Sequence, residues 1–201
     1  MGLTIHYSGT FNKNASLSKM VDEVADIAET HKWKYHVFNK EFPPDNEVSN
    51  SYDEEIYGIC FTPPECETVS LCFLSNKKMT SLINLKSFGN SSDKKEQEYL
   101  YMLSVKTQFA GEEIHKLIIE LFRYLKKQKY FEHLKILDEG KYWETGDEKI
   151  LHEIFEQNIA LLDSFSFAIK NVPIKKSESY LNYFTRLAKM IRLKNYGKNK
   201  Q

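Results

Sequence analysis

The sequence predicts an α+β fold: a mixed sheet of about six or seven strands, helices packed on it, and two further helices at the C-terminal end. Three observations predict it. Strand-like alternation brackets a helical stripe near residue 16 and again near residue 112, which reads as two βαβ units. Between them, short strand-like segments follow one another without a long helix, which reads as an antiparallel meander. Beyond residue 145 only helical periodicity remains.

Leu3, Ile5 and Tyr7 alternate with Thr4, His6 and Ser8, a first strand. A helix over about 16–31 follows, with its stripe on Leu17, Met20, Val21, Val24, Ile27 and Ala28. Trp33 to Asn39 is a second strand, and the Pro/Asn/Ser-rich residues to Asp53 are a loop. Ile56–Phe61 and Thr68–Leu74 flank Thr62-Pro63-Pro64-Glu65 as a hairpin. Placing the odd-numbered Tyr57, Ile59, Phe61, Val69, Leu71 and Phe73 on one core pairs Cys60 with Ser70 on the other face, with Cys72 diagonal to Cys60.

Met79–Leu85 reads as another strand, 88–97 as a polar loop, and Glu98–Lys106 as a strong strand. The second βαβ unit then takes a helix over 111–127 and a strand over 131–137. Thr145-Gly-Asp-Glu148 has the spacing of a capping box and opens a helix to about Lys170, ended by Asn171 and Pro173. A last helix spans about 177–194. The organisation expected is an α+β domain over 1–171 and a basic helix over 172–201 docked on it.

Charge is segregated along the chain. Residues 172–201 hold eight Lys/Arg and the single acid Glu178, a net of +7, so residues 1–171 carry −7. Such asymmetry speaks to partners rather than to fold. The amphipathic last helix places Arg186, Lys189 and Arg192 opposite its apolar stripe, a face for an acidic partner. Only three of the 28 basic residues are Arg, which disfavours nucleic acid read through bidentate contacts. No apolar run approaches the ~20 residues of a membrane span, and the first residues lack a leader pattern. Three cysteines, Cys60, Cys66 and Cys72, fit no zinc spacing. These observations make the expectation a soluble cytoplasmic protein with reduced thiols.

Chemistry in βαβ units gathers beyond the carboxyl ends of parallel strands. That rule brings Thr10, Thr107, Gln108, Asp138, Glu139, Trp143 and Glu144 to one sheet edge. Residues 138–156 hold seven acids and two lysines, so Trp143 among carboxylates suits a cationic partner. Glu112 with His115, and Glu148 with His152, share helix faces as surface pairs. Cys66 is the most accessible thiol by position, but its flanking Glu65 and Glu67 weaken it as a nucleophile. No HExxH, GxSxG or Walker-type loop is present, and neither metal nor cofactor is expected.

The leading expectation is therefore a non-catalytic protein-binding module of the adaptor or immunity type, with another protein as its partner. A second is an enzyme, a hydrolase or nucleotide-processing protein, with a dispersed site at the strand edge. A third is weak, salt-sensitive RNA binding through Lys175, Lys176, Arg186, Lys189 and Arg192.

Overall fold

The computed structural model describes residues 2–44, 52 and 55–198, with side chains to residue 191. These residues form two compact units, Met1–His152 and Glu153–Gln201. Among the described residues there are seven strands and seven helices.

The first unit is α+β, with two antiparallel sheets. In one, β1 (Thr4–Phe11) lies between β6 (Leu103–Lys106) and β7 (Phe131–Asp138). In the other, β2 (Lys34–Val37), β3 (Tyr57–Thr62), β4 (Val69–Phe73) and β5 (Met79–Thr80) follow in sequence order. The two meet where the end of β1 bridges the turn before β5: Thr10 pairs with Lys78, and the Phe11 N–H donates to the Lys77 carbonyl at 2.8 Å. Phe11 packs its ring on Phe73 at 5.1 Å and on Phe42 at 5.5 Å, joining the cores.

The parallel βαβ units do not form: among the described residues, every pairing between two of the seven strands is antiparallel. Strands β1 and β2 part into different sheets, with α1 (Leu17–Thr30) between them in sequence and packed mainly on β3 and β2. The second crossover, through α4 (Glu112–Lys127), steps over β1, so β6 and β7 run the same way but never pair. The alternation of β1 explains this. Ile5 and Tyr7 are buried while His6 is exposed, a strand with one covered face, as in antiparallel sheets; parallel strands are covered on both. The covered face meets α4, where Phe122 lies 4.9 Å from the Tyr7 ring.

The predicted hairpin keeps its register: Cys60 pairs with Ser70 and Gly58 with Cys72. The predicted helix near residue 16 starts with the Ser16 side chain accepting from the Lys19 N–H at 3.2 Å. Two strand assignments are corrected. Strand β5 stops at Thr80 because Ser81 caps α2 (Leu82–Phe88), its hydroxyl accepting from the Asn84 N–H at 3.1 Å. The strand expected from Glu98 begins only at Leu103, since Asp93 caps α3 (Lys94–Tyr99) inside the supposed polar loop.

The helix expected from Thr145 is corrected as well. Tyr142–Thr145 forms the short helix α5, and α6 is Glu148–Asn171. The cap of α6 is Asp147, whose carboxylate accepts from the Lys149 N–H at 2.8 Å. Thr145 instead donates its hydroxyl to the Lys141 carbonyl at 2.7 Å.

The second unit is a helical hairpin of α6 from Glu153 onward and α7 (Tyr180–Lys198). Ala168, Tyr183, Leu187 and Ile191 form its core, with Leu161, Phe165 and Val172 packed against it. Its connecting loop is held by Arg186, which donates from Nε to one Glu178 oxygen at 2.8 Å and from Nη2 to the other at 2.7 Å.

Candidate functional site

The residues expected at one edge lie at two ends of the sheet. The Thr107 N–H donates to the Leu3 carbonyl at 2.9 Å, which puts Thr107 at the start of β1. Glu139 is there too: its N–H donates to the Thr4 carbonyl at 3.2 Å, and its carboxylate accepts from the Thr4 N–H at 2.9 Å. Thr10 pairs with His133 at the other end of β1, about 20 Å along the strand. Antiparallel pairing is the cause, because strands running opposite ways send their carboxyl ends to opposite edges.

At the Thr107 end a hydroxyl, an imidazole and a carboxylate stand in a row. His115 Nδ1 lies 2.7 Å from Thr107 Oγ1, and His115 Nε2 lies 2.9 Å from Asp138 Oδ1. The order is that of a nucleophilic triad. The accessibility is not: Thr107 and His115 are both 0% exposed and Asp138 is 3% exposed. Asp138 also accepts from the Gly140 N–H at 2.7 Å and from the Trp143 N–H at 2.9 Å. Burial pushes the Asp138 carboxyl up, but the His115 hydrogen bond and charge with these two N–H donors outweigh it and hold the carboxyl below its ordinary value. The row is a brace that ties the end of β6, the first turn of α4 and the end of β7 to one point.

The remaining expected site residues are also engaged or isolated. Gln108 lies against Gly2, and Glu144 is exposed. Trp143 is half-buried, with Lys126 Nζ 5.3 Å and the Arg123 guanidinium 6.0 Å from its ring centre. Its cationic neighbours are thus supplied by the chain itself. Lys189 is exposed, whereas Arg186 is bound to Glu178 and holds that carboxyl down at about 2. The Arg192 side chain lies outside the described residues. Neither expected histidine pair forms: Glu112 meets His152 at 3.0 Å, Glu148 meets Lys116 at 2.9 Å, and His115 turns to Asp138.

Two clefts that sequence reading did not find flank β6. The first, of about 630 Å³, lies between β6 and the second sheet; Tyr7, Ser70 and Cys72 are among its lining residues, with Cys60 and Cys66. The second, of about 600 Å³, is a shallow groove on the open face of the first sheet, lined by His6, Ser8, Ser104, Lys135 and Leu137. Met102 lines both. Around it the surface is unusually apolar: Ile83 is 74% exposed, Met102 63%, Leu137 60% and Leu82 42%. The signal for this strip was present as Leu82-Ile83 and Met102, but both fell inside segments read as strands.

Among the described residues, no helix is long and apolar enough to cross a membrane, and no three His, Cys, Asp or Glu side chains are grouped to hold a metal ion. The chain matches no protein-family model, no curated protein and no solved structure.

Proposed function

We propose that the protein is a protein-binding module of the adaptor type, and that its docking face is the apolar strip of Leu82, Ile83, Met102 and Leu137. The observation that carries this reading is Met102, mostly exposed at the shared rim of two adjoining clefts. Contiguous exposed apolar side chains rimmed by polar groups mark interaction surfaces, whereas scattered ones need no explanation. Lys135 and His6 line the groove beside Leu137. The partner is a protein segment that inserts apolar side chains at Met102 and carries carboxylates toward Lys135.

The enzyme reading is weaker because its edge is divided between the two ends of β1, and the hydroxyl–imidazole–carboxylate row is closed to solvent. The RNA reading is weaker because Arg186 is already paired with Glu178. A photo-crosslinking residue at position 102, compared with one at the exposed Glu132 on β7, tests the docking face. The expected result is one partner captured from position 102, whose purified complex weakens about tenfold or more in Met102→Asp with the melting midpoint unchanged. Equal capture at both positions, or a complex indifferent to Met102→Asp, overturns the reading.

A further inference from the structure

We propose that Cys60 and Cys72 form a peroxide-reactive dithiol, with Cys60 as the attacking sulfur and Cys72 as the sulfur that resolves it. The proposal is independent of the docking face. It rests on the geometry of the first cleft. Cys60 on β3 and Cys72 on β4 point to the same side of the sheet, one diagonal step apart, and both line the cleft. Each thiol is the other's side-chain neighbour in the electrostatics of the cleft. Cys60 is half-buried and reachable through the cleft, while Cys72 is 1% exposed behind it.

The backbone brings the two strands together at this point. Gly58 sits opposite Cys72 with φ +118°, and a Cβ there would stand 2.3 Å from the Leu71 carbonyl oxygen and 3.2 Å from the Cys72 Cα. Only glycine fits so close an approach. Diagonal neighbours on paired strands stand about 7–8 Å apart, at the upper edge of disulfide reach, so the bridge draws β3 and β4 together at this point.

The surroundings divide the three thiols by role. The Cys72 hydrogen bond, with backbone N–H groups of His36 and of Cys60 itself, outweighs burial and brings the Cys60 thiol down to about 7. Burial, and then the bond to Cys60, keeps Cys72 well above its ordinary value. Burial, with Glu67 beside it, pushes Cys66 up to about 11, and its S–H donates to the Lys106 carbonyl at 3.6 Å. Of the three thiols, Cys60 is therefore the one that ionises most readily near neutral pH, while burial disfavours the thiolate of the other two. A low-pKa accessible cysteine beside a resolving cysteine is the arrangement that oxidative chemistry selects.

The co-reactant is a hydroperoxide, ROOH. The Cys60 thiolate attacks the terminal oxygen: an S–O bond forms, the O–O bond breaks, and the alkoxide leaves and takes a proton from solvent. Cys60 is then a sulfenic acid. The Cys72 sulfur attacks the Cys60 sulfur: an S–S bond forms, the S–O bond breaks, and the hydroxide departs as water with the Cys72 proton. Two thiols lose two electrons, and the peroxide is reduced to an alcohol and water.

The test treats the full chain with stoichiometric hydrogen peroxide at neutral pH, then blocks the remaining thiols under denaturing conditions and maps them by mass. The expected result is joint loss of Cys60 and Cys72 labelling within monomers, with Cys66 still labelled. Cys60 reacts at least about tenfold faster than Cys66, in line with their thiolate fractions. Cys60→Ser abolishes the reaction, and Cys72→Ala stops it at a sulfenic acid trapped by dimedone on Cys60. Cys66→Ser reacts as the natural chain does. The mapping of the unmutated protein decides the matter if Cys72→Ala does not fold. Preferential oxidation of Cys66, or independent loss of Cys60 and Cys72, overturns the proposal.

Discussion

The Asp138 end of the first sheet and the Cys60 cleft both gather titratable side chains beside β1, and they treat them in opposite ways. At Asp138 the carboxylate takes two backbone N–H groups and the His115 imidazole, and solvent is shut out. At Cys60 the thiol is held down by Cys72 and by the backbone N–H groups of His36 and Cys60, and a cleft opens on it. The chemistry at the first end resembles a catalytic row far more than the second does. The difference teaches that reactivity follows from access, not from the residue types assembled. A hydrogen-bonded network closed to solvent rigidifies, and one that opens on a cleft can react.

The largest effect expected is at the brace. His115→Ala or Asp138→Ala breaks a buried pair by removing one partner, and such losses cost about 3–5 kcal/mol. Denaturant melts of both single variants and the double variant measure it, and the double variant should cost much less than the sum. A loss below about 1 kcal/mol in both would place this end among the reactive, weakly braced sites and undo the contrast. The pH dependence sharpens it. The folded Asp138 carboxyl lies below its unfolded value near 3.9, so its stabilisation is present above that value and is lost as pH falls through the folded one. Asp138→Asn should therefore flatten the acid limb of the stability curve below about pH 4.

Sequence patterns made some of this legible. The odd-numbered apolar residues around Thr62-Pro63-Pro64-Glu65 specified the register of β3 and β4, and with it the diagonal of Cys60 and Cys72. Ser16 and its stripe specified α1. What alternation cannot specify is which strands flank a strand. Leu3 to Ser8 said that one face of β1 is covered, but not that β6 and β7, about a hundred residues on, lie at its sides. Assuming that chain neighbours share a sheet turned this into parallel units and put Thr10 with Thr107. The pairing of His115 with Asp138 spans a helix and a strand, and no local rule joins them. Two short helices carry local signals in the sequence: Ser81 and Asp93 each precede their first turn as caps, and Asp93 has Glu96 three residues on. The acids beside Cys66 are visible in the sequence, but its thiol is raised first by burial, which they do not reveal, and second by Glu67.

The floor of the cleft supplies an intermediate effect. The Tyr7 hydroxyl accepts a hydrogen bond from the Ser70 N–H at 2.8 Å, and both residues are buried. Tyr7→Phe leaves that N–H without its acceptor, at a cost of about 1–3 kcal/mol. The same change should leave the reaction order of the three thiols intact, because Tyr7 is not among the groups that bring Cys60 down. Melting midpoints and thiol mapping on one preparation check both statements. If Tyr7→Phe makes Cys66 react first, the hydroxyl and not the thiol pair governs the cleft.

The smallest effects lie at the surface, where the same distinction separates Asp147 from Thr145. The first turn of α6 leaves backbone N–H groups without intrahelical partners. The Asp147 carboxylate accepts from two of them, at 2.8 Å from Lys149 and 3.4 Å from Ile150, and its charge faces the positive end of the helix dipole. Asp147→Ala should therefore cost about 1 kcal/mol. Thr145 sits on the last turn of α5, where its hydroxyl donates to the Lys141 carbonyl at 2.7 Å and accepts from the Asp147 N–H at 3.1 Å. Both bonds are exposed, so water replaces the hydroxyl when it is removed, and Thr145→Ala should cost about 0.5 kcal/mol or less. Denaturant midpoints of the two variants, measured side by side, give the order. A larger loss for Thr145→Ala would mean that the helix starts at Thr145 in solution, with α5 and α6 continuous. That outcome would also unsettle the brace, because the Trp143 N–H that Asp138 holds belongs to α5.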